Sequence, residues 1–315
     1  ARLKHAKQIC ACLGHSDESV RLAAIHASGE LGIALDPEHL EALARFCSCE
    51  QRPAVRRSAV QALGRAAATG VPHLVNYLHD TDEEVRHFAA EMLGSLQGEA
   101  GEVAVAAVVS RLCENDANVQ RAALRALTRL GPLGQPYTEQ VARHMHDEVL
   151  DVRLASIQAL GELGDASIAN ALGALTSDMH TGVRQAAVTA LSKLGRCGGE
   201  QALLYLNDPD PAVRQAAVHV FSPLHSRLPA SVASEHADTV AQMIVDEDWR
   251  VRLTSVVALG DLQARRYANH VAALFDDENN QVRRSALTAL TKMGASVAHV
   301  TAFIGDDDAT VKKEV

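Results

Sequence analysis

Asp178-Met-His-Thr-Gly-Val183-Arg184-Gln-Ala-Ala187-Val188-Thr-Ala-Leu191-Ser-Lys-Leu-Gly195 is the clearest copy of a stretch that the chain repeats along its length. Aligned on the valine, the copies stand at Val20, Val55, Val85, Val119, Val152, Val183, Val213, Val251, Val282 and Val311. The intervals run from 29 residues (Val282 to Val311) to 38 (Val213 to Val251). A recurrence on this scale is the signature of stacked structural units, each touching only its neighbours.

The positions that recur tell how the units pack. Counted from the valine, offset +4 is Ala24, Ala59, Ala89, Ala123, Ser156, Ala187, Ala217, Ser255 and Ala286, and offset +9 is Gly, Ser or Thr in every complete copy. Offset +8 is Leu except at Ser28 and Phe221. Offsets 0, +4, +8 and +11 share one face of an α-helix, and the tiny residues let a second helix approach closely. This valine-bearing helix is B; a shorter apolar helix, A, precedes it. Pro37 and Pro136 open A helices, and Pro53 and Pro211 open B helices, at the first helical position where the missing N–H is no loss. Gly32, Gly131, Gly164, Gly195 and Gly294 close B helices. The sixth B helix is expected over 180–194 and the seventh over 211–222, where Pro223 withholds a hydrogen bond. The interval that follows predicts a bend or sub-boundary at 222–238.

The arginine after the valine has an acid six residues before it: Asp80 for Arg86, Asp147 for Arg153, Asp178 for Arg184, Asp208 for Arg214, Asp246 for Arg252 and Asp277 for Arg283. Asp306 precedes Lys312 in the same way, and Glu50 and Glu114 precede Arg56 and Gln120. Such an acid, in the turn between A and B, is expected to accept N–H groups at the start of helix B while its charge meets the guanidinium of an adjacent repeat. Repeated, this is a structural Asp–Arg ladder.

The Asp-x5-Arg spacing with Val-Arg-x-x-Ala-x-x-Ala-Leu-Gly resembles HEAT repeats. The short period and links such as Leu163-Gly164-Asp165 are similar to the compact subtype shared with phycobilin lyase subunits. The reading is an all-α, right-handed α-solenoid: a single array over 1–315 of nine two-helix repeats and a truncated tenth, expected to be a piece of a longer chain. The resemblance fixes a fold and not an activity.

Composition narrows the activity. Only 3% of residues are aromatic against 47% apolar, so the core is built of Ala, Leu and Val. A net charge of −9 argues against protein-wide affinity for nucleic acid or anionic membrane, and no apolar run approaches the roughly 18 residues of a membrane span. Cys10, Cys12, Cys47, Cys49, Cys113 and Cys197 sit mostly among aliphatic residues and are expected to be reduced, buried thiols, which suits a cytoplasmic compartment. Acid clusters such as Asp80-Thr-Asp82-Glu83-Glu84 recur where helix B needs a cap and lack the pattern of a calcium loop. HEAT-like di-iron hydroxylases of deoxyhypusine carry His-Glu dipeptides, and this sequence has none. The expectation is a protein that is not an enzyme and holds no cofactor or metal.

What remains is surface. HEAT resemblance implies that the B helices line the concave face, and offsets +2, +6 and +10 form one outward stripe at i, i+4 spacing. It carries Arg57, Arg65, Arg121, Arg125, Arg129, Lys193, Arg284 and Lys292 against Glu30, Glu91, Glu162 and Asp261, a balance opposite in sign to the whole chain. His87, Leu154 and Leu253 lie on the same stripe. The expected function is a protein-interaction scaffold, one subunit of a larger assembly, binding an acidic or phosphorylated protein segment there. The competing classes are a bilin-lyase-like chromophore-handling subunit and a nucleic-acid-binding HEAT protein.

Overall fold

The computed structural model describes residues 2–31, 36–48, 52–224 and 230–294, and every regular element among them is helical. The chain divides into two compact units, Ala1–Asp165 and Ala166–Val315. In the first, the B helices are Glu18–Leu31, Pro53–Gly64, Glu83–Gly94, Ala117–Leu130 and Leu150–Leu163. In the second they are Thr181–Leu191, Pro211–His219, Trp249–Asp261 and Asn280–Met293. The expected tenth copy, Glu50 and Asp306 lie outside the described residues, as do 225–229 of the expected bend.

Repetition puts the same residues in the core each time. Val85, Val152, Val183, Val213, Val251 and Val282 are all 0% exposed, and so are Leu63, Leu93, Leu127, Leu160, Leu191, Leu259 and Leu290 at offset +8. Each leucine buried in this way stabilises the fold by about 1.5–3 kcal/mol. The small residue at offset +9 is where one B helix meets the next. A Cβ on Gly260 would stand 2.9 Å from the Cα of Ala289, and one on Gly64 would stand 3.1 Å from the sulfur of Met92. Offset +9 of one repeat thus touches offset +7 of its successor.

Most A segments are composite: a short α-turn passes into a 3₁₀ tail, as in Thr138–Ala142 with Arg143–His146 and Gly195–Ala202 with Leu203–Asn207. The tail tightens the chain toward the A–B turn. Its last bond comes from the ladder acid's own N–H, Asp80 to the Tyr77 carbonyl at 3.2 Å and Asp208 to the Tyr205 carbonyl at 3.2 Å.

Three expectations need correction. The ladder acid does not cap helix B, because it lies two residues ahead of the N-cap position, as Asp208 does ahead of Asp210. It accepts instead the N–H of the residue two further on, Asp80 from Asp82 at 2.9 Å and Asp208 from Asp210 at 2.9 Å. That second residue is the cap: Asp82, Asp116, Asp210, Asp248 and Asn279 each accept N–H groups of the first helical turn.

The sixth and seventh B helices also stop early. The sixth ends at Leu191, where Lys193 and Leu194 turn to carbonyls three residues back. The seventh ends at His219: Pro223 has no N–H to bond the His219 carbonyl, and Val220 closes on Ala217 at 3.2 Å. Elsewhere the closing glycines adopt positive φ, 72° at Gly164 and 65° at Gly294.

Finally, the described thiols are not core thiols. Cys10 and Cys12 are half-buried, and Cys113 and Cys197 are exposed, the first at the end of a 3₁₀ turn and the second in the opening turn of an A helix. The side chains of Cys47 and Cys49 lie outside the described residues.

Candidate functional site

The ladder arginines reach forward. Arg184 gives Nε to Asp208 at 2.6 Å and Nη2 to its other carboxylate oxygen at 2.9 Å. Arg214 grips Asp246 at 2.9 and 2.8 Å, and Arg252 grips Asp277 at 2.8 and 2.9 Å. The acid always belongs to the following repeat. Nη1 turns back to the carbonyl of the arginine's own acid: Arg184 to Asp178 at 3.0 Å, Arg214 to Asp208 at 2.8 Å, Arg252 to Asp246 at 2.9 Å and Arg283 to Asp277 at 3.0 Å. In the second unit the row is therefore unbroken from Asp178 to Arg283. Two-pronged bonding to carboxylate holds the Arg184, Arg214 and Arg252 guanidiniums above their ordinary pKa.

In the first unit the row is interrupted. Arg56 and Asp80 form a complete rung, both bonds 2.7 Å. Among the described residues Arg86 bonds only carbonyls, those of Asp80 and Thr81 at 2.6 and 3.1 Å. Glu114 pairs with Arg111 at 2.9 Å and His79 at 3.2 Å rather than with Arg86. Gln120, in the arginine's place, has no charge to offer Asp147, whose carboxylate faces His144 at 3.8 Å. Among the described residues two rungs are missing, one on each side of the fourth repeat.

The residue after Gln120 makes good the loss on another face. Arg121 reaches Glu83 of the third repeat at 2.9 Å and Asp151 of the fifth at 3.1 Å. Its side chain is 19% exposed, so it is a strut between three repeats. Most other stripe cations are engaged as well: Arg57 with Glu84 at 2.8 Å, Arg65 with Glu30, Arg129 with Glu91, and Lys292 with Asp261 at 2.7 Å. His87 stands 3.7 Å from Glu91. Leu154 and Leu253 are half-buried, and Lys193 and Arg284 are exposed.

The exception is Arg125. It lies half-exposed midway between Arg121 and Arg129 on the fourth B helix, and its guanidinium has no hydrogen bond or ion pair among the described residues. Counting offsets +2, +6 and +10 alone overstated the positive field. Glu83, Glu84 and Asp151, from the first turns of their helices, share that face and neutralise it.

A sequence profile of HEAT repeats matches residues 48–128, 71–149, 138–218 and 200–291, together well over half of the chain. The chain belongs to the HEAT-repeat family. Among curated proteins no sequence match is found. Solved structures with this HEAT fold include the karyopherin Kap121p bound to the extreme C-terminus of the protein phosphatase Cdc14p, at 14% identity and TM-score 0.64, over 99% of this chain and 41% of that one. The same karyopherin bound to the SUMO protease Ulp1p matches at 14% identity and TM-score 0.64, over 99% and 40%. An engineered protein is similar at 18% identity and TM-score 0.47, over 98% and 96%. The HEAT array spans about two fifths of the karyopherin's length, and at such identity the likeness is one of fold.

Proposed function

We propose that this HEAT array is a non-enzymatic scaffold that binds a partner protein on the B-helix face of its first unit, seating an acidic or phosphorylated residue of the partner on Arg125. The observation that carries this reading is the Arg125 guanidinium, without an ion pair among the described residues, in a row whose other arginines are engaged. A planar fork of donors fits carboxylate or phosphate with two bonds, and Leu154, half-buried on the next B helix, offers apolar surface on the same stripe. One open arginine in a neutralised lattice calls for one anion in the partner rather than an acidic run. That a karyopherin of the same fold is seen with the extreme C-terminus of another protein bound supports the scaffold role. A reducing, cytoplasmic setting and membership of a larger assembly belong to the same proposal, the first resting on four unpaired cysteines.

The test is an array of phosphorylated and acidic peptides, with the binders titrated by fluorescence anisotropy against the wild type and Arg125→Ala. The expected result is a loss of about tenfold or more in affinity with unchanged melting, since Arg125 holds no other side chain. Equal affinity of the folded variant overturns the assignment.

A further inference from the structure

We infer that the cleft between the sixth and seventh B helices is a second binding site, for an extended, uncharged peptide segment of a partner protein, held by the side-chain amides of Gln185 and Gln215. The cleft is an open groove of about 410 Å³, lined by Val188, Val220, Thr189 and His219 among others. The two glutamines occupy offset +2 of consecutive repeats, and their side-chain amides have no partner among the described residues. The hydroxyls beside them are already committed, Thr189 to the Gln185 carbonyl at 2.9 Å and Ser192 to the Thr189 carbonyl at 2.7 Å.

The cleft differs from the rest of the B-helix face in charge. No Asp, Glu, Lys or Arg lines it. Arg184 and Arg214, which precede the two glutamines, are buried and held by Asp208 and Asp246. A charged segment would lose water here and meet no counter-charge. A neutral one loses little and finds two primary amides, each with an acceptor and two donors, the complement of a peptide group. Neighbouring helices lie about 8–10 Å apart and an extended chain advances about 3.3 Å per residue. A strand crossing both helices therefore brings peptide groups about three residues apart to the two glutamines. Ala212 and Ala216, small residues beside the buried Val188 and Val220, leave room for a small side chain between those contacts.

The experiment titrates isotope-labelled protein with a capped, uncharged peptide of Thr, Ser and Val, following the side-chain amide resonances of Gln185 and Gln215. Saturable shifts are expected. The paired variant Gln185→Leu and Gln215→Leu, similar in volume, should bind about tenfold more weakly or worse, with Gln185→Ala and Gln215→Ala singly replacing it if the pair does not fold. Probes carrying Lys or Asp at the centre should also weaken, and Arg125→Ala should change nothing. Absent shifts in the wild type, equal affinity of the leucine pair, or tighter binding of a charged probe overturns the proposal.

Discussion

Arg184 and Asp208 belong to successive repeats, yet their side chains, 9% and 2% exposed, form a two-pronged pair closed off from water. Removing one partner of such a pair leaves a buried charge without compensation, which costs about 3–5 kcal/mol. Asp147 holds the same register without an arginine on its carboxylate. Asp208→Asn should therefore lower the melting temperature sharply, while Asp147→Asn, which keeps the acceptor for the Val149 N–H, should shift stability by under about 1 kcal/mol. Similar melting of the two variants would show that register alone decides.

Leu160→Ala and Leu191→Ala each empty a fully buried site and should cost about 2–5 kcal/mol. In a quasi-one-dimensional array the loss spreads to adjacent repeats first. Hydrogen exchange of Leu160→Ala should show protection falling around the fifth repeat and holding in the first. Uniform loss across the described residues contradicts nearest-neighbour coupling.

Tyr205 gives its hydroxyl to the Leu172 carbonyl at 2.5 Å and is 0% exposed. Burial, the largest influence, and the nearby Asp208 carboxylate push its phenol above the ordinary range. Because the folded state favours the neutral group, its contribution is whole below the unfolded value of about 10 and is lost as pH rises beyond it. Tyr205→Phe should cost about 1 kcal/mol at neutral pH and flatten the fall in stability on alkaline titration. An unchanged alkaline profile would assign that fall to other groups.

How far the fold was legible follows from what each feature depends on. The stacking of Gly260 on Ala289 recurs as Gly64 on Met92, and the repeat valine is buried from Val55 to Val282, so period and offset were enough to read them. The capping role slipped by two residues because an Asp in an A–B turn reads alike in sequence whether it stands at the N-cap or two residues ahead of it. Asp208 and Asp210 are both extended and separate only by the N–H that each accepts, Asp210's for the first and Ala212's for the second. The charge of the B-helix face was misjudged for a different reason. Arg121 meets Glu83 and Asp151 across 38 and 30 residues, a register that no window along one helix contains. The Gln185–Gln215 cleft escaped notice because uncharged, unpartnered amides leave no pattern in a sequence.

The displacement of the fourth repeat's polar ties from the turn edge to Arg121 puts those ties within reach of ionic strength. Ladder pairs such as Arg214–Asp246, 9% and 8% exposed, stand largely outside the reach of dissolved ions, whereas Glu83 and Asp151, 59% and 61% exposed, are open to screening. Rising salt thus leaves the second unit's ladder intact and slackens the first unit at its middle, beside Arg125. A partner docked there would feel the change as a loosening of the ground it stands on.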